Sequence, residues 1–486
     1  MYLKHRLFLV LSGILLVVLN SRAQQTDYSR NNPYSSYGIG ELKPLNSLRN
    51  SGMAGTGVAL SDIEYLNLIN PAMLSRTRSV SHIVAAGETM ISIAKTYSVT
   101  EDEIRTLNRF TGEVREGMVL RIPTRKYTKF EAAGNGGIRF VQSGTGNYTD
   151  RSLAYQHFVL LFPVSQRLTS VAGLAPYSEA NFNSYYEYSL PDSTTVRENN
   201  TARGGLNQLF LSLGYDVTRH LSLGVQSGFI FGSLKSENFS QLKTVIDSDY
   251  ANRSGQVQEV YYKAFAFKPS VFYTIPIKTP RDSSMFFNVG ATYSFVTGAS
   301  GDGRTGFENR NMYGIVLSDS TVESGGVTTP FPSELAIGVA LQKGRLWSVG
   351  ADFAYSTWMG TSTAPAQGFD YISSYRLSVG AETKLLGEYR SLTPKTPAIR
   401  IGAAVQRLPF LIQNSYVNDY SVSIGASIPV GRLNPADKNQ PLNKVSLALT
   451  GGSQGSKSLG PGQEFYVRLS AGILITDKWF TRRKIQ

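Results

Sequence analysis

Four histidines, at positions 5, 82, 157 and 220, and no cysteine at all make up the soft metal ligands of this 486-residue chain. A structural zinc site gathers four Cys or His ligands, and a thiolate nucleophile needs a Cys. Neither can be assembled here, and the histidines do not stand as members of a Ser-His-Asp triad. No nucleophile or acid–base constellation falls in register, so the chain is not expected to be an enzyme or to hold a metal or cofactor. Gly301-Asp302-Gly303 and Asp247-Ser248-Asp249 have the residue types of cation ligands, but in long polar stretches they are expected to be plain turns. The formal charge is +13. Three of those positives (Lys4, Arg6, Arg22) fall in an expected leader, whose removal leaves +10. The remaining Lys and Arg are scattered, with no block of five or six, so no nucleic-acid partner is expected.

What remains is binding chemistry, and it concentrates in residues 81–126. His82-Ile83-Val84 predicts a short strand, and Met90, Ile93, Ala94 and Tyr97 recur at helical spacing. Thr100 and Glu103 have the spacing of a capping box for a second helix that carries Ile104 and Leu107 and ends near Asn108. Gly117 to Pro123 predicts a second strand. The pieces Val84-x-x-Gly87-Glu88-Thr89-x-x-x-Ile93-Ala94, Val99-x-x-x-x-Ile104-x-x-Leu107-Asn108 and Gly117-x-x-Leu120-x-Ile122-Pro123 resemble a LysM module of βααβ order. Glu88 departs from the commoner Asp. The resemblance implies binding of N-acetylglucosamine-containing glycan, here peptidoglycan. The groove would lie between the turn Gly87, Glu88, Thr89 and Met90 and the loop after the second helix, from which Asn108, Arg109, Gly112 and Glu116 are drawn.

From residue 127 onward the pattern changes to period two. Phe465, Val467, Leu469, Ala471, Ile473 and Ile475 share one strand face, and Tyr466, Arg468, Ser470 and Gly472 the other. Leu221–Phe231 and Val422–Ile428 repeat the pattern. A soluble sandwich and a transmembrane barrel both fit such strands. Export of the chain, strands of ~10 residues or more and alternating short and long connectors favour the barrel. Fourteen antiparallel strands are expected, beginning near 128, 152, 168, 205, 220, 263, 285, 331, 346, 371, 397, 417, 443 and 463. Short turns are expected at 164–167, 218–220, 277–284, 343–345, 386–397 and 432–443, and solvated long loops at 185–203, 233–260 and 298–328. Trp347, Trp358, Tyr420 and Trp479-Phe480 are expected to form an interfacial girdle.

Residues 1–23 have the basic start, short apolar stretch and small-x-small site of a signal peptide, and are too short to span a bilayer as a helix. Residues 24–80 are rich in Gly, Asn and Ser yet carry spaced Leu and Ile, so they are expected to fill the lumen of so wide a barrel. The run Gly52-Met53-Ala54-Gly55-Thr56-Gly57, the triplet Asn70-Pro71-Ala72 before the first strand, and Phe162-Pro163-Val164 with Gly173-Leu174-Ala175-Pro176-Tyr177-Ser178 resemble the FadL/OmpP1 outer-membrane barrels. That resemblance implies a lumenal hatch including Asn70, Pro71 and Ala72, and in one branch lateral diffusion of hydrophobic compounds. The Asn32-Pro33-Tyr34 start and the Trp-Phe-x-Arg-Arg-Lys ending resemble a second branch, whose barrels serve secretion or assembly machinery. The leading expectation is an outer-membrane barrel anchored to peptidoglycan, with the module and both chain ends periplasmic. The alternatives are a hydrophobic-compound channel or an accessory subunit bound to other barrels or lipoproteins.

Overall fold

The computed structural model describes residues 32–477, apart from 37, 98, 124–126, 144–145, 166, 192–193, 244–251, 280–281, 328, 345, 359–370, 386–395, 413, 432–441 and 458–461. The expected signal peptide, Asp247-Ser248-Asp249, Trp479-Phe480, the Trp-Phe-x-Arg-Arg-Lys ending and most of the turns expected at 386–397 and 432–443 lie outside the described residues.

Alternating apolar and small or polar residues from 128 onward form one closed antiparallel ring. Its strands are β4 (Thr128–Ser143), β5 (Gly146–Pro163), β6 (Leu168–Ser189), β7 (Thr195–Asp216), β8 (Leu221–Lys243), β9 (Arg253–Thr279) and β10 (Asp282–Arg310). After β11 (Val316–Val327) come β12 (Pro332–Lys343), β13 (Trp347–Trp358), β14 (Ser374–Lys384), β15 (Ala398–Ile412), β16 (Ser415–Val430), β17 (Asn443–Gly455) and β18 (Gln463–Asp477). Each strand pairs with the next, except that β10 passes over β11 to pair with β12, and β18 closes on β4 from Asp477↔Thr128 to Gln463↔Gln142. The ring therefore has fourteen strands, β11 being a side strand bonded to β10.

The two faces are inverted relative to a soluble protein. Leu211, Val225, Ile337, Leu377, Ile401, Val422 and Leu469 are exposed on the outside, while Ser212, Gln226, Asn288, Ser378 and Ser423 are buried toward the interior. That is the arrangement of a barrel solvated by lipid, whose wall amides are satisfied by neighbouring strands.

The long loops expected at 185–203, 233–260 and 298–328 are corrected. Most of those residues continue the strands beyond the wall, with β6 paired to β7 as far as Ser189↔Thr195 and β9 to β10 as far as Arg253↔Arg310. Their polar content reflects strands with water on both faces rather than missing pairing. Trp358 is also corrected: it stacks on Tyr371 at 4.0 Å and packs beside a lumenal cluster around Ile39, so its indole is not an outer girdle group.

Two further parts complete the chain. Residues 32–78, with β1 (Glu41–Leu42), α1 (Leu48–Ser51) and the 3-10 helix Pro71–Arg78, lie against the inward face of the wall. β2 (Ser79–Ile83), α2 (Met90–Tyr97), α3 (Glu101–Asn108) and β3 (Val119–Pro123) form a small unit with β2 and β3 paired from Ser79↔Pro123 to Ile83↔Val119. Its core is Val84, Met90, Ile93, Ala94, Ile104, Leu120 and Ile122, the apolar stripes of two helices closed against the two-stranded sheet.

Candidate functional site

The wall is not uniform. β5 and β6 pair only over Phe158–Pro163 with Leu174–Thr169. Their remaining halves, 146–157 and 175–189, share no ladder among the described residues. Two local causes are visible. A register shift between Ala133 and Gly134 bends β5 away from the regular course of β4, and Pro176, which has no N–H to donate, sits at a register shift in β6. The inner segment takes the edge of β6 that β5 leaves. Glu41 and Leu42 pair with Glu179 and Ser178, the Lys43 N–H donates to the Tyr177 carbonyl at 2.9 Å, and the Asn32 N–H donates to the Asn181 carbonyl at 2.9 Å.

Beside this break lies a cavity of about 800 Å³. Ser152, Leu153, Ala154, Tyr155 and Gln156 line it in unbroken succession. Its lining mixes aromatic groups, Tyr177, Phe267 and Phe295 among them, with an ionic cluster. The Glu41 carboxylate lies 3.0 Å from Lys43, 3.1 Å from Arg139 and 3.8 Å from Arg468. The Ser178 hydroxyl and the Gln156 side-chain oxygen are buried there with no hydrogen-bond partner among the described residues.

Below the cavity the inner segment is seated on the wall by glycine and by charge. Gly350, Gly380 and Gly402 stand opposite one another on β13, β14 and β15. They leave a groove into which the Gly52–Gly57 run fits: a Cβ on Gly380 would lie 2.7 Å from the Met53 Cβ, and one on Gly402 would lie 2.5 Å from the Met53 carbonyl oxygen. Asp352 on β13 accepts from the Gly57 and Val58 amides at 2.6 and 2.9 Å. Arg49 and Arg400 share Glu382 at 3.0 and 2.5 Å, and Lys384 and Lys444 share Glu64 at 2.6 and 2.5 Å. The Tyr65 ring lies under Lys444 and Arg400, 4.3 and 4.5 Å from its centroid. These Arg, Lys and Glu side chains are buried and paired, as burial in low dielectric requires.

Asn70, Pro71 and Ala72 belong to this seat. Asn70 caps the 3-10 helix by accepting from the Ala72 N–H at 3.0 Å, and its amide donates to the Val58 carbonyl at 2.8 Å and the Val271 carbonyl at 3.2 Å. Ala72 also donates to the Ser270 hydroxyl at 2.9 Å, and Gly224 leaves room for Pro71 and Ala72 to lie against β8.

The small unit docks at the rim of the short turns. Arg121 of β3, 2% exposed, lies 2.7 Å from Asp216 at the end of β7. Ser75 and Ser222 donate to the same carboxylate, each at 2.7 Å, and Arg76 lies 3.5 Å away over the Phe272 ring. Arg167 and Arg219, from two wall turns, donate to the Leu107 and Val119 carbonyls at 2.6 and 3.3 Å. Asp216 thus joins the wall, the inner segment and the small unit at one carboxylate. Sequence reasoning missed this hub, the wall break and the buried ion pairs. Glu382 and Arg400, charged residues on otherwise small or polar inward faces, were the available signal.

The residues assigned to a glycan groove do not share one environment. Gly87, at φ +79°, has open space around it, and Thr89 is exposed and caps α2 through the Ser92 N–H at 3.2 Å. Glu88 accepts from the Ala85 N–H and from His82, both at 2.8 Å. Tyr97 donates into or accepts from the other His82 nitrogen at 3.1 Å; burial, then the nearby Glu88, pushes its phenol above the usual range. Met90 is corrected to a core residue, 5% exposed. Asn108 is buried in the unit: it donates to the Ile104 and Arg121 carbonyls, each at 2.7 Å, and accepts from the Arg121 N–H at 2.8 Å, so its amide hydrogens are taken up inside the unit. Arg109 holds the left-handed cap of α3, Gly112 accepts from Arg105 at 2.8 Å, and Glu116 is exposed. Among the described residues no cluster of His, Asp and Glu could hold a metal ion.

A family model described as BamG matches residues 4–112 and 121–486. No curated protein matches the chain. Among solved structures, the CymD monoaromatic hydrocarbon channel is 12% identical, with 91% of this chain and 99% of that chain covered and a TM-score of 0.47. A Pseudomonas aeruginosa FadL homologue is 11% identical, with 90% and 99% covered and a TM-score of 0.49. The Pseudomonas putida toluene transporter TodX is 11% identical, with 90% and 99% covered and a TM-score of 0.48. Likeness at this level leaves function to be argued from the geometry.

Proposed function

This chain belongs to the BamG family, and with that as premise we propose that it is an outer-membrane barrel that passes small hydrophobic compounds between its cavity and the bilayer through the break in its wall, in the manner of a FadL-like channel. The observation that carries this reading is the missing ladder between 146–157 and 175–189 beside the cavity. Leu153, 68% exposed, and Tyr155 stand at the mouth and suit an apolar passenger. The chain has no cysteine, so cysteines placed at Leu153 and Tyr177 can be bridged alone. Bridging them with a bifunctional reagent should reduce uptake of a small aromatic hydrocarbon to the level of cells lacking the barrel, and reduction of the bridge should restore it. Unchanged uptake in the bridged protein would end this reading.

A second reading is favoured by the inner segment, which is held by buried ion pairs, and by the docked unit at the short-turn rim. It makes the chain an accessory barrel of an outer-membrane secretion or assembly machine, its rim unit turned toward the periplasm. Purification in mild detergent should then retain large barrel or lipoprotein subunits. For the unit itself, the LysM resemblance supports peptidoglycan as ligand at Gly87 and Thr89. Replacing both with bulky residues should abolish sedimentation with purified sacculi while the barrel stays folded, and sedimentation equal to wild type would count against it.

A further inference from the structure

β10 leaves the wall at Ser294, the last residue it pairs with β12, and runs on to Arg310. Over Gly301–Arg310 it pairs with β11 instead. A tilted strand crosses a bilayer in ~9–11 residues, so this part of the sheet stands beyond the lipid, on the rim opposite Thr128 and Asp477. β11 is bonded to β10 alone, and its second edge meets no strand among the described residues. A row of unpaired backbone donors and acceptors is a template for another strand. The surroundings are apolar although no lipid covers them: Tyr313 is 81% exposed, Val322 65%, Ile315 61% and Phe307 53%. Groups of this kind in water mark a contact surface.

The edge is guarded selectively. β11 contains Asp319 and Glu323 but no Lys, Arg or Pro, and its register skips Leu317 and Val322, leaving Ser318–Thr321 in regular pairing with β10. At its end Gly325 and Gly326 have open space above them. We propose that this edge receives an extended strand from a partner protein that places Lys or Arg across from Asp319. Main-chain hydrogen bonds would supply the affinity and the opposite charge the choice of partner. Asp319 is available for that role, since its contact with Arg304 is 3.7 Å long with both side chains more than half exposed. A second copy of this edge is the wrong occupant, because β11 has no Lys or Arg to place across from Asp319.

The test uses the full chain in its own outer membrane, with a photo-cross-linking residue at Leu317. A single adduct with another protein is expected. Asp319→Lys should cut its yield about tenfold, the equivalent of ~1.4 kcal/mol. Prolines at Ser320 or Thr321, adjacent positions whose amides face opposite edges, should include one that removes the adduct. Heat-modifiable migration of each variant checks that the barrel is folded. An adduct of two copies of this chain, a ladder of lipopolysaccharide, no adduct, or an adduct that survives all three substitutions would overturn the proposal.

Discussion

Asp216 ties three parts of the chain together through one carboxylate. It is 3% exposed and is shared by Arg121, Arg76, Ser75 and Ser222. Removing one partner of a buried pair leaves the other charge unsatisfied, typically at ~3–5 kcal/mol. Asp216→Ala should therefore release the β2–β3 sheet from the rim, seen as hydrogen exchange that rises there and in the 3-10 helix while the distant β14–β16 wall stays protected. Exchanging Arg121 for Met in the same chain should recover part of the loss, because the stranded charge goes with it. A second residue-scale prediction concerns Gly402. Its Cβ would fall on the Met53 backbone, so Gly402→Val should unseat the Gly52–Gly57 run, and protease should then cut within 52–57. Protection equal to wild type would mean that the wall yields instead.

Among the elements, α3 is built from its own sequence. Thr100 accepts from the Glu103 N–H at 3.2 Å and the Glu103 carboxylate accepts from the Thr100 N–H at 2.9 Å. Thr100→Ala should cost about 1 kcal/mol and show as faster exchange confined to the first turn of α3. This local chemistry is why the helices around Met90–Tyr97 and Thr100–Asn108 and the starts of most wall strands could be located from residue order alone. Burial was less legible. Asn108 and Met90 stand where a ligand loop was expected, yet the packing of α3 on β3 draws Asn108 inward and the core around Ile93 and Leu120 takes in Met90, and helical spacing does not say which face of a short helix meets the sheet. The wall break was illegible for a related reason. β5 is apolar throughout where it is paired, Phe158–Pro163, and mixed over 146–157, but a residue pattern records the faces of a strand and not whether a neighbour is bonded to it.

For the whole molecule, the wall and the inner segment are held together by buried ion pairs as well as by apolar clusters such as that of Leu66, Leu68 and Leu74 with Val159, Val171 and Phe210. Arg49, Arg400, Lys384 and Lys444 meet Glu382 and Glu64 around Tyr65. Glu382→Gln leaves two arginines facing a neutral amide, and Glu64→Gln does the same to two lysines. In planar bilayers the double variant should conduct ions at several times the wild-type level, with flickering as the segment moves. Conductance unchanged from wild type would show that Asp352 and the glycine seat suffice. The strand count, by contrast, was accessible beforehand, because each hairpin carries its own alternation and its own turn.

The pairing of β4 with β18 has a kinetic meaning. Thr128 and Asp477 are the most distant partners in the ring, and closure of so long a loop cannot begin until the last strand is made. The inner segment and the small rim unit precede β4 in the chain and so exist first. The segment touches wall strands on opposite sides of the ring, β6 to β9 and β16 to β18, so it can order both before they close. Its glycine-seated run and paired charges then act as a mandrel on which the wall is wound, and a chain lacking β18 would be left with the 128–142 edge open to any other strand that reaches it.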